Sequence, residues 1–592
     1  MKLNKSKKTN LLVFFFILLF GVIAYLPSFS SSFHLDDYDQ IIKNNLKHIS
    51  TAEVFNRFPA TRWLVFFSFK ANAAIHGYNT FGYHLINFLI HIFSAFLIFK
   101  ITELILYFIK RNAPLGAIHL SEKYVALAAG IIFAVHPLQS QAVIYITQRL
   151  MLGATLFYLL AMYSFLRGFL PDNSKRQGII FTIIFFVLGM FCKEIIVTLP
   201  VILFLILWLF LQPKAVELWI KKHKLLFVGI VFLILLIPVI VFLNIIKWDL
   251  SQLKNTLNSI GGALYANTPG LDRYTYLLTQ TKVLLKYIAL FVFPIGLQID
   301  PDVSLCSSFI SLCFLISFFT ILIMVAGAWL LRKKAPMISF GIIFYFIALL
   351  PQSSIIPTPD LMFEHRVYLG VAGLIWIFLG ILALVAKYIT FKYFKIYLYS
   401  GIIIIILILT FLTFNRSKIW KNDVTLWADA YEKSPQKARV INNYANALLN
   451  NGMQSNAVVV LEKALKENKK IPPYVVSTLA NLYAQNGRFP EARNLYLKSL
   501  KADYTNPETR YNLALMYYFL GNIKSAKYQA YVLRQIHPEY TDAYYLLGVV
   551  YSAENKNFSS ATNNLTIYLQ KSPDGENAES AKDLMNILLR KK

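Results

Sequence analysis

Long apolar runs recur from Leu11 to Phe414 and then stop, and the recurring length, about 17 to 25 residues, is what a helix needs to cross a hydrocarbon core of roughly 30 Å. No single soluble domain can bury that many such runs. The chain is 57% hydrophobic and only 15% charged, whereas ordinary soluble chains carry about 25% charged residues. It divides into a membrane part, 1–414, and a polar tail, 415–592, each long enough to be a domain.

Spans are expected near 11–26, 82–107, 125–141, 150–168, 178–192, 195–212, 225–246, 309–331, 337–351, 369–386 and 396–414, eleven in all. The first run is long for a signal peptide and many others follow, so it reads as a retained helix. With a cytosolic N-terminus every inside loop is basic: Lys100, Lys110, Arg111 and Lys123; Arg167, Lys175 and Arg176; Lys214, Lys221, Lys222 and Lys224; Arg332, Lys333 and Lys334; Lys387, Lys392 and Lys395. That is the positive-inside pattern. The apolar stretch 281–297 would invert all later loops if it crossed, so it reads as interfacial or re-entrant on the outer face. An odd span number then puts the tail outside.

This topology accounts for the net charge of +28 without a nucleic-acid partner. Of fifteen Asp and Glu in the membrane part, eleven fall outside, four of them in a long first outer loop, 29–81. Cys192, Cys306 and Cys313 lie in or beside apolar segments, so neither a disulfide framework nor a zinc site is expected.

The tail repeats itself. Ala445, Ala480, Ala514 and Gly548 are 35, 34 and 34 residues apart, the tetratricopeptide repeat (TPR) length. Ala457, Ala492, Ala526 and Ala561 keep the same phase, as do Tyr483, Tyr517 and Tyr551; Gly452, Gly487 and Gly521 mark turns. Four repeats and a capping helix from Ala578 are expected. Such an array either only supports the chain or binds an acceptor or partner protein in its concave groove.

The sharpest local motif is Phe33-His34-Leu35-Asp36-Asp37-Tyr38-Asp39, just after the first span. Paired carboxylates at a membrane boundary are costly unless solvated, protonated or bound to a cation. One Asp of the pair can act as general base on a hydroxyl while the other positions the acceptor or a metal. A divalent cation, Mg or Mn, is a further option, held by Asp36, Asp37 and Asp39 or by His34, Asp36 and Asp39. Outer cations stand at Gln148-Arg149, at Lys193-Glu194, and at Glu364-His365-Arg366 with Tyr368. Arg149, Lys193 and Arg366 are candidates to hold the phosphate of a lipid-linked substrate. Lys247, Lys282 and Lys286 read rather as headgroup anchors, and His84 and His91 as packed polar groups.

These motifs, in order, resemble a known family. After Asp36-Asp37 come Gly82-Tyr83-His84-Leu85-Ile86-Asn87, Phe133-Ala134-Val135-His136-Pro137, and Cys192-Lys193-Glu194 with Thr198-Leu199-Pro200. Leu350-Pro351-Gln352-Ser353-Ser354, Glu364-His365-Arg366-Val367-Tyr368-Leu369 and the terminal repeats follow. The whole is similar to the transmembrane-and-TPR protein O-mannosyltransferases of the GT-C glycosyltransferase class. The resemblance implies an all-α fold, a polytopic GT-C-type helical domain followed by a TPR α-solenoid. It also implies an inverting transfer of a sugar, mannose in the family, from a polyprenyl-phosphate carrier to a protein hydroxyl on the outer face. Asp36 or Asp37 would be the base; Arg149, Lys193 and Arg366 would hold the carrier phosphate, with His34, Glu194, Glu364, His365 and Tyr368 also at the site. The Lys-, Ile- and Asn-rich composition suggests a bacterial relative, with site and repeats on the periplasmic side of the inner membrane. No nucleotide-binding signature is present, as a lipid-linked donor requires.

Two rival readings remain open on the sequence. One is a GT-C transferase acting on a lipid or cell-wall glycan. The other is a non-enzymatic scaffold or transporter with a protein-binding tail.

Overall fold

The computed structural model describes residues 6–112, 120–223, 272–353, 358, 360–389, 391, 393–467, 471–554 and 557–590. The expected span 225–246 and Lys224, Lys247, Asp249, Ser354 and Lys392 lie outside the described residues. Among those described there is no strand, and the chain forms two compact units, Met1–Lys433 and Ser434–Lys592. The first therefore extends past the point where hydropathy falls at 414.

The first unit starts with helices α1 (Ser6–Tyr25), α2 (Thr51–Arg57), α3 (Trp63–His76), α4 (Thr80–Asn112) and α5 (Glu122–Val135). Next come α6 (Ser140–Ile144), α7 (Arg149–Gly168), α8 (Lys175–Met190), α9 (Leu199–Ile206) and α10 (Pro213–Lys222). It closes with α11 (Arg273–Val292), α12 (Leu312–Leu331), α13 (Pro336–Leu349), α14 (Gly370–Tyr388), α15 (Phe394–Ile419) and α16 (Asp423–Lys433).

By length and composition, seven helical segments among the described residues can cross a membrane: Lys8–Ser30, Thr80–Asn112, Ile146–Gly168, Glu194–Leu211, Leu312–Leu331, Gly370–Tyr388 and Phe394–Ile419. Glu122–Val135 and Pro137–Ile144 make an eighth if the pair, bent by 50°, is one span. The bend falls at His136-Pro137, where proline ends the helical hydrogen bonding. Such a set fits a multi-pass membrane protein; among the described residues seven or eight segments meet this measure, against ten of the eleven expected spans that fall there. The expected spans 178–192 and 337–351 become α8, of 16 residues, and α13, of 14, against the about 20 that a span requires. The stretch 281–297 falls in α11, a 20-residue helix outside the set of apolar spans. Asp272 caps it by accepting the Thr275 N–H.

Small residues permit the closest helix contacts. A Cβ on Gly341 of α13 would lie 2.6 Å from the Gly373 carbonyl oxygen of α14, so these two short apolar helices pack backbone to backbone. Cys306 and Cys313 form a disulfide with Cα atoms 5.8 Å apart, contrary to the sequence expectation. The turn 308–311 folds one back on the other, a closure that spacing alone did not reveal.

The long loop 29–81 is mostly helical. Leu26–Ser30 and Ala60–Arg62 are 3-10 turns, Tyr38–Lys43 is a π turn, and Ser50 and Glu53 form a reciprocal capping box on α2.

The second unit is a series of helix pairs: α17 (Ala438–Asn450) with α18 (Gln454–Glu467), α19 (Pro473–Gln485) with α20 (Phe489–Ala502), α21 (Pro507–Phe519) with α22 (Ile523–Ile536), and α23 (Asp542–Ala553) with α24 (Phe558–Lys571). Helix α25 (Ala578–Arg590) packs on the last pair. Ala445, Ala457, Ala480, Ala492, Ala514, Ala526 and Ala561 are completely buried. Gly452, Gly487 and Gly521 take φ of +74°, +72° and +74°, the left-handed C-cap conformation that ends the first helix of the first three pairs.

Candidate active site

The acidic turn is built on backbone hydrogen bonds. The Asp37 carboxylate accepts the His34 N–H at Oδ2 (3.0 Å) and the Thr147 N–H at Oδ1 (2.8 Å). The Asp36 N–H donates to the Tyr145 hydroxyl at 3.0 Å. Asp37 is wholly buried, while its neighbour Asp36 is exposed. Leu35 takes φ +47°, a conformation that β-carbon sterics disfavour outside glycine, and this turns consecutive carboxylates in different directions. Burial pushes the Asp37 carboxyl up to about 7, against the two amides and His34, which favour its charge.

Asp39 is exposed and pairs with Lys43 at 2.6 Å. The His34 ring lies between Asp423 Oδ1, 2.6 Å from Nδ1, and the Trp420 carbonyl, 2.8 Å from Nε2. Neither carboxylate set proposed for a divalent cation therefore fits. Both Asp37 oxygens hold amides, both His34 nitrogens are engaged, and Asp39 turns to a lysine. Among the described residues no cluster of three or more His, Cys, Asp or Glu is arranged to hold a metal.

Arg149, the first residue of α7, is only 1% exposed. Its guanidinium donates to Asn87 Oδ1 (2.8 Å), Ser68 Oγ (3.2 Å), Asn72 Oδ1 (2.9 Å) and the Tyr83 carbonyl (3.1 Å), and sits 4.4 Å from the Phe69 ring centroid. Four of its five N–H groups are thereby used. It braces α3 and α4 against the segment that carries Tyr145 and Thr147, behind the acidic turn.

A second group gathers at the turn after α8. Lys193 faces Arg62, Arg366 and Glu194; burial and the two arginines hold its ammonium down at about 8, Glu194 opposing. Neither the Lys193 nor the Arg62 side chain makes a hydrogen bond or ion pair with the described residues. Arg62 is brought there by the Leu64 N–H, which donates to the Phe191 carbonyl at 3.2 Å, and by Trp63, whose ring lies parallel to Phe191 at 6.3 Å. Arg366 reaches the Asp360 carbonyl at 2.8 Å. His365 is buried beside Lys193 and Arg366, which together with its burial keeps the ring well below the ordinary imidazole range and neutral.

Glu364 and Tyr368 lie apart from these cations. Glu364 is buried, accepts the Gln298 N–H at 2.5 Å and faces Arg416 at 3.8 Å; burial pushes it up to about 7. The Tyr368 hydroxyl is 2.8 Å from His91 Nδ1, and His91 Nε2 donates to the Ala134 carbonyl, so both pack between helices. His84 Nε2 likewise meets the Ser31 carbonyl at 3.0 Å.

Helix α3 joins the two groups. Arg62 precedes its first turn, while Ser68 and Asn72 hold Arg149 six and ten residues further on, about 9 to 15 Å along a helix. Sequence reasoning missed Arg62, Tyr145, Thr147 and Asp423. None of them left a local signal: Arg62 is one of five cations in its loop, with Lys43, Lys47, Arg57 and Lys70.

No family model matches the chain. It is similar to protein O-mannosyl-transferase F38B6.6 of Caenorhabditis elegans, 23% identical over 483 residues that cover 76% of this chain and 61% of the relative. It is also similar to protein O-mannosyl-transferase Tmtc1 of Drosophila melanogaster (32% over 137 residues, 23% of this chain and 14% of the relative). Protein O-mannosyl-transferase TMTC2 of Homo sapiens is 33% identical over 162 residues, 25% of this chain and 18% of the relative. These relatives are the family that the ordered motifs resemble, and the chain spans under two thirds of their length. Among solved structures, MamA matches at 15% identity and TM-score 0.24, over 25% of this chain and 86% of that one. YrrB, described as a TPR protein with an unusual peptide-binding site, matches at 21% identity and TM-score 0.24, over 27% and 81%.

Proposed function

We propose that this chain is an integral-membrane, inverting glycosyltransferase that moves a sugar, mannose by analogy with its relatives, from a polyprenyl-phosphate carrier to a protein hydroxyl. The observation that carries this reading is the division of labour between the two groups. An exposed carboxylate stands on a rigid turn, and one helix links that turn to a group of cations of which two, Lys193 and Arg62, make no side-chain hydrogen bond or ion pair with the described residues.

Asp36 takes the proton of the acceptor hydroxyl as its oxygen attacks the anomeric carbon. The bond from that carbon to the carrier's phosphate oxygen breaks on the opposite side, and its electron pair leaves with the phosphate. Lys193, Arg62 and Arg366 stabilise the charge that develops there. Asp37 and Arg149 hold Asp36 in place, and the neutral His365 leaves the cationic group its net charge.

The site belongs, in this reading, to the outer face, the periplasmic side in a bacterium. The basic inside loops support that side, as does the Cys306–Cys313 disulfide, since such bonds persist in oxidising compartments. The repeat groove is assigned to the acceptor protein or a partner, and membrane lipid surrounds the spans.

The test is transfer from a panel of radiolabelled polyprenyl-phosphate sugars in membranes, comparing the native chain with Asp36→Asn and Lys193→Met. Label in protein, lost in both variants, supports the reading. Label in lipid or glycan moves the acceptor to those classes, and no transfer from any donor leaves the scaffold.

A further inference from the structure

The geometry points to Asp423 as a positioning residue for the acidic turn, acting through His34. This rests on the reading of Asp36 as the base. His34 is completely buried, and its two ring nitrogens face the Asp423 carboxylate at 2.6 Å and the Trp420 carbonyl at 2.8 Å. A backbone carbonyl can only accept, so Nε2 donates to Trp420, and Nδ1 faces the Asp423 carboxylate. The ring is thereby clamped between two oxygens, and Asp423 is the side-chain partner that holds it.

From His34 the chain of bonds runs straight to the site. Its backbone N–H donates to Asp37, whose other oxygen takes the Thr147 N–H. Asp36 lies between residues that are both held this way, with its own N–H on Tyr145. Trp420 completes the brace: it is wholly buried, and its ring packs edge-on to His34 at 5.6 Å and near Tyr145 at 6.3 Å. The left-handed Leu35 is a conformation that persists only where surrounding bonds over-determine it.

Asp423 itself opens α16, and its side chain is about a quarter exposed (26%). Removing it opens no core cavity, and a carboxylate at a helix start is favourable anyway. The end of the last apolar helix and the start of α16 thus act as a strap on a turn that lies 386 and 389 residues earlier in sequence. A base that wanders by about 1 Å loses on the order of 100-fold in rate without losing substrate affinity.

The experiment uses the full chain in lipid nanodiscs, with Asp423→Ala, Asp423→Asn and Asp423→Glu. The expected result with a polyprenyl-phosphate sugar is a kcat about 10- to 100-fold lower in Asp423→Ala. The donor KM should stay within about twofold, since the cations assigned to the donor phosphate are untouched by the substitution, and Asp423→Glu should recover part of kcat. A second arm, amide hydrogen exchange across 34–39, needs no turnover. Exchange there should rise by about tenfold or more in Asp423→Ala while α4 and α7 keep their protection. If Asp423→Ala is poorly folded, Asp423→Asn, which keeps the shape and loses the charge, is read in its place. Unchanged exchange across 34–39, or a kcat equal to the native value, overturns the strap. A native chain that transfers no sugar while the exchange arm responds counts against the reading of Asp36 as base, and leaves the strap standing.

Discussion

The turn at 146–149 and the turn at 191–194 each offer one cation to the long loop 29–81, and they differ in what those cations hold. Arg149 spends its guanidinium on Asn87, Ser68, Asn72 and Tyr83, all neutral acceptors. The Lys193 ammonium faces two arginines and a single glutamate, with no hydrogen bond of its own among the described residues. A buried charge with its donors saturated is architecture, because removing it orphans its acceptors. A charge crowded by like charges waits for an anion.

Substitutions should separate the two. The largest effect belongs to the base: Asp36→Asn should lower transfer by about 10²- to 10⁴-fold with the fold intact, read from kcat and the thermal midpoint together. Next, Arg149→Met should cost about 2 to 4 kcal/mol of stability, because the Asn87 and Asn72 oxygens lose their donor in a dry setting, and unfolding of the detergent-solubilised chain would register it. Lys193→Met should instead leave the fold at least as stable as the native one, because it removes a buried charge crowded by two arginines, while raising the donor KM and lowering kcat. Equal stability losses in the two variants would erase the distinction drawn here.

Acid and base titrations sharpen the same contrast. Lys193 titrates near 8 in the fold, below the ordinary lysine value of 10.5. Donor binding should therefore weaken as pH rises through about 8, while the fold itself gains stability up to the unfolded value, because there the unfolded chain holds the proton and the folded one does not. Asp37 runs the other way. Its folded value of about 7 stands above the ordinary 3.8, so the acidic turn should lose stability as pH rises from about 4 to 7. Asp37→Asn should abolish that slope; a slope that survives would assign it to another group, and hydrogen exchange across 34–39 against pH would show which. The smallest effect is expected in the repeats. Gly487→Ala, at φ +72°, should cost about 1 kcal/mol locally and leave the donor KM unchanged.

Much of this was legible along the chain. Alanines in phase announced the repeats, and apolar runs announced the membrane helices, because both patterns record burial residue by residue. The span count was less legible. Hydropathy does not see a helix end, so 178–192 and 337–351 looked like spans and form short helices. It likewise placed a boundary at 414, where α15 continues to Ile419 with Arg416 and Ser417 buried. The site divided in the same way. Lys193, Arg366 and Asp36 could be found because charge beside an apolar span is rare, but nothing local told Asp36 from Asp37, or Arg149 from Lys193.

Periodicity, charge sign and the order of motifs determined that this chain is helical, membrane-embedded and repeat-tailed, with acids and cations in the same loops, since these are properties of neighbours in sequence. Which carboxylate faces outward, which arginine is a brace, and how Arg62 and Asp423 join residues far from them were decided by tertiary structure alone. Hydrogen-bond partners and desolvation depend on what lies across space, and a linear pattern carries no record of that.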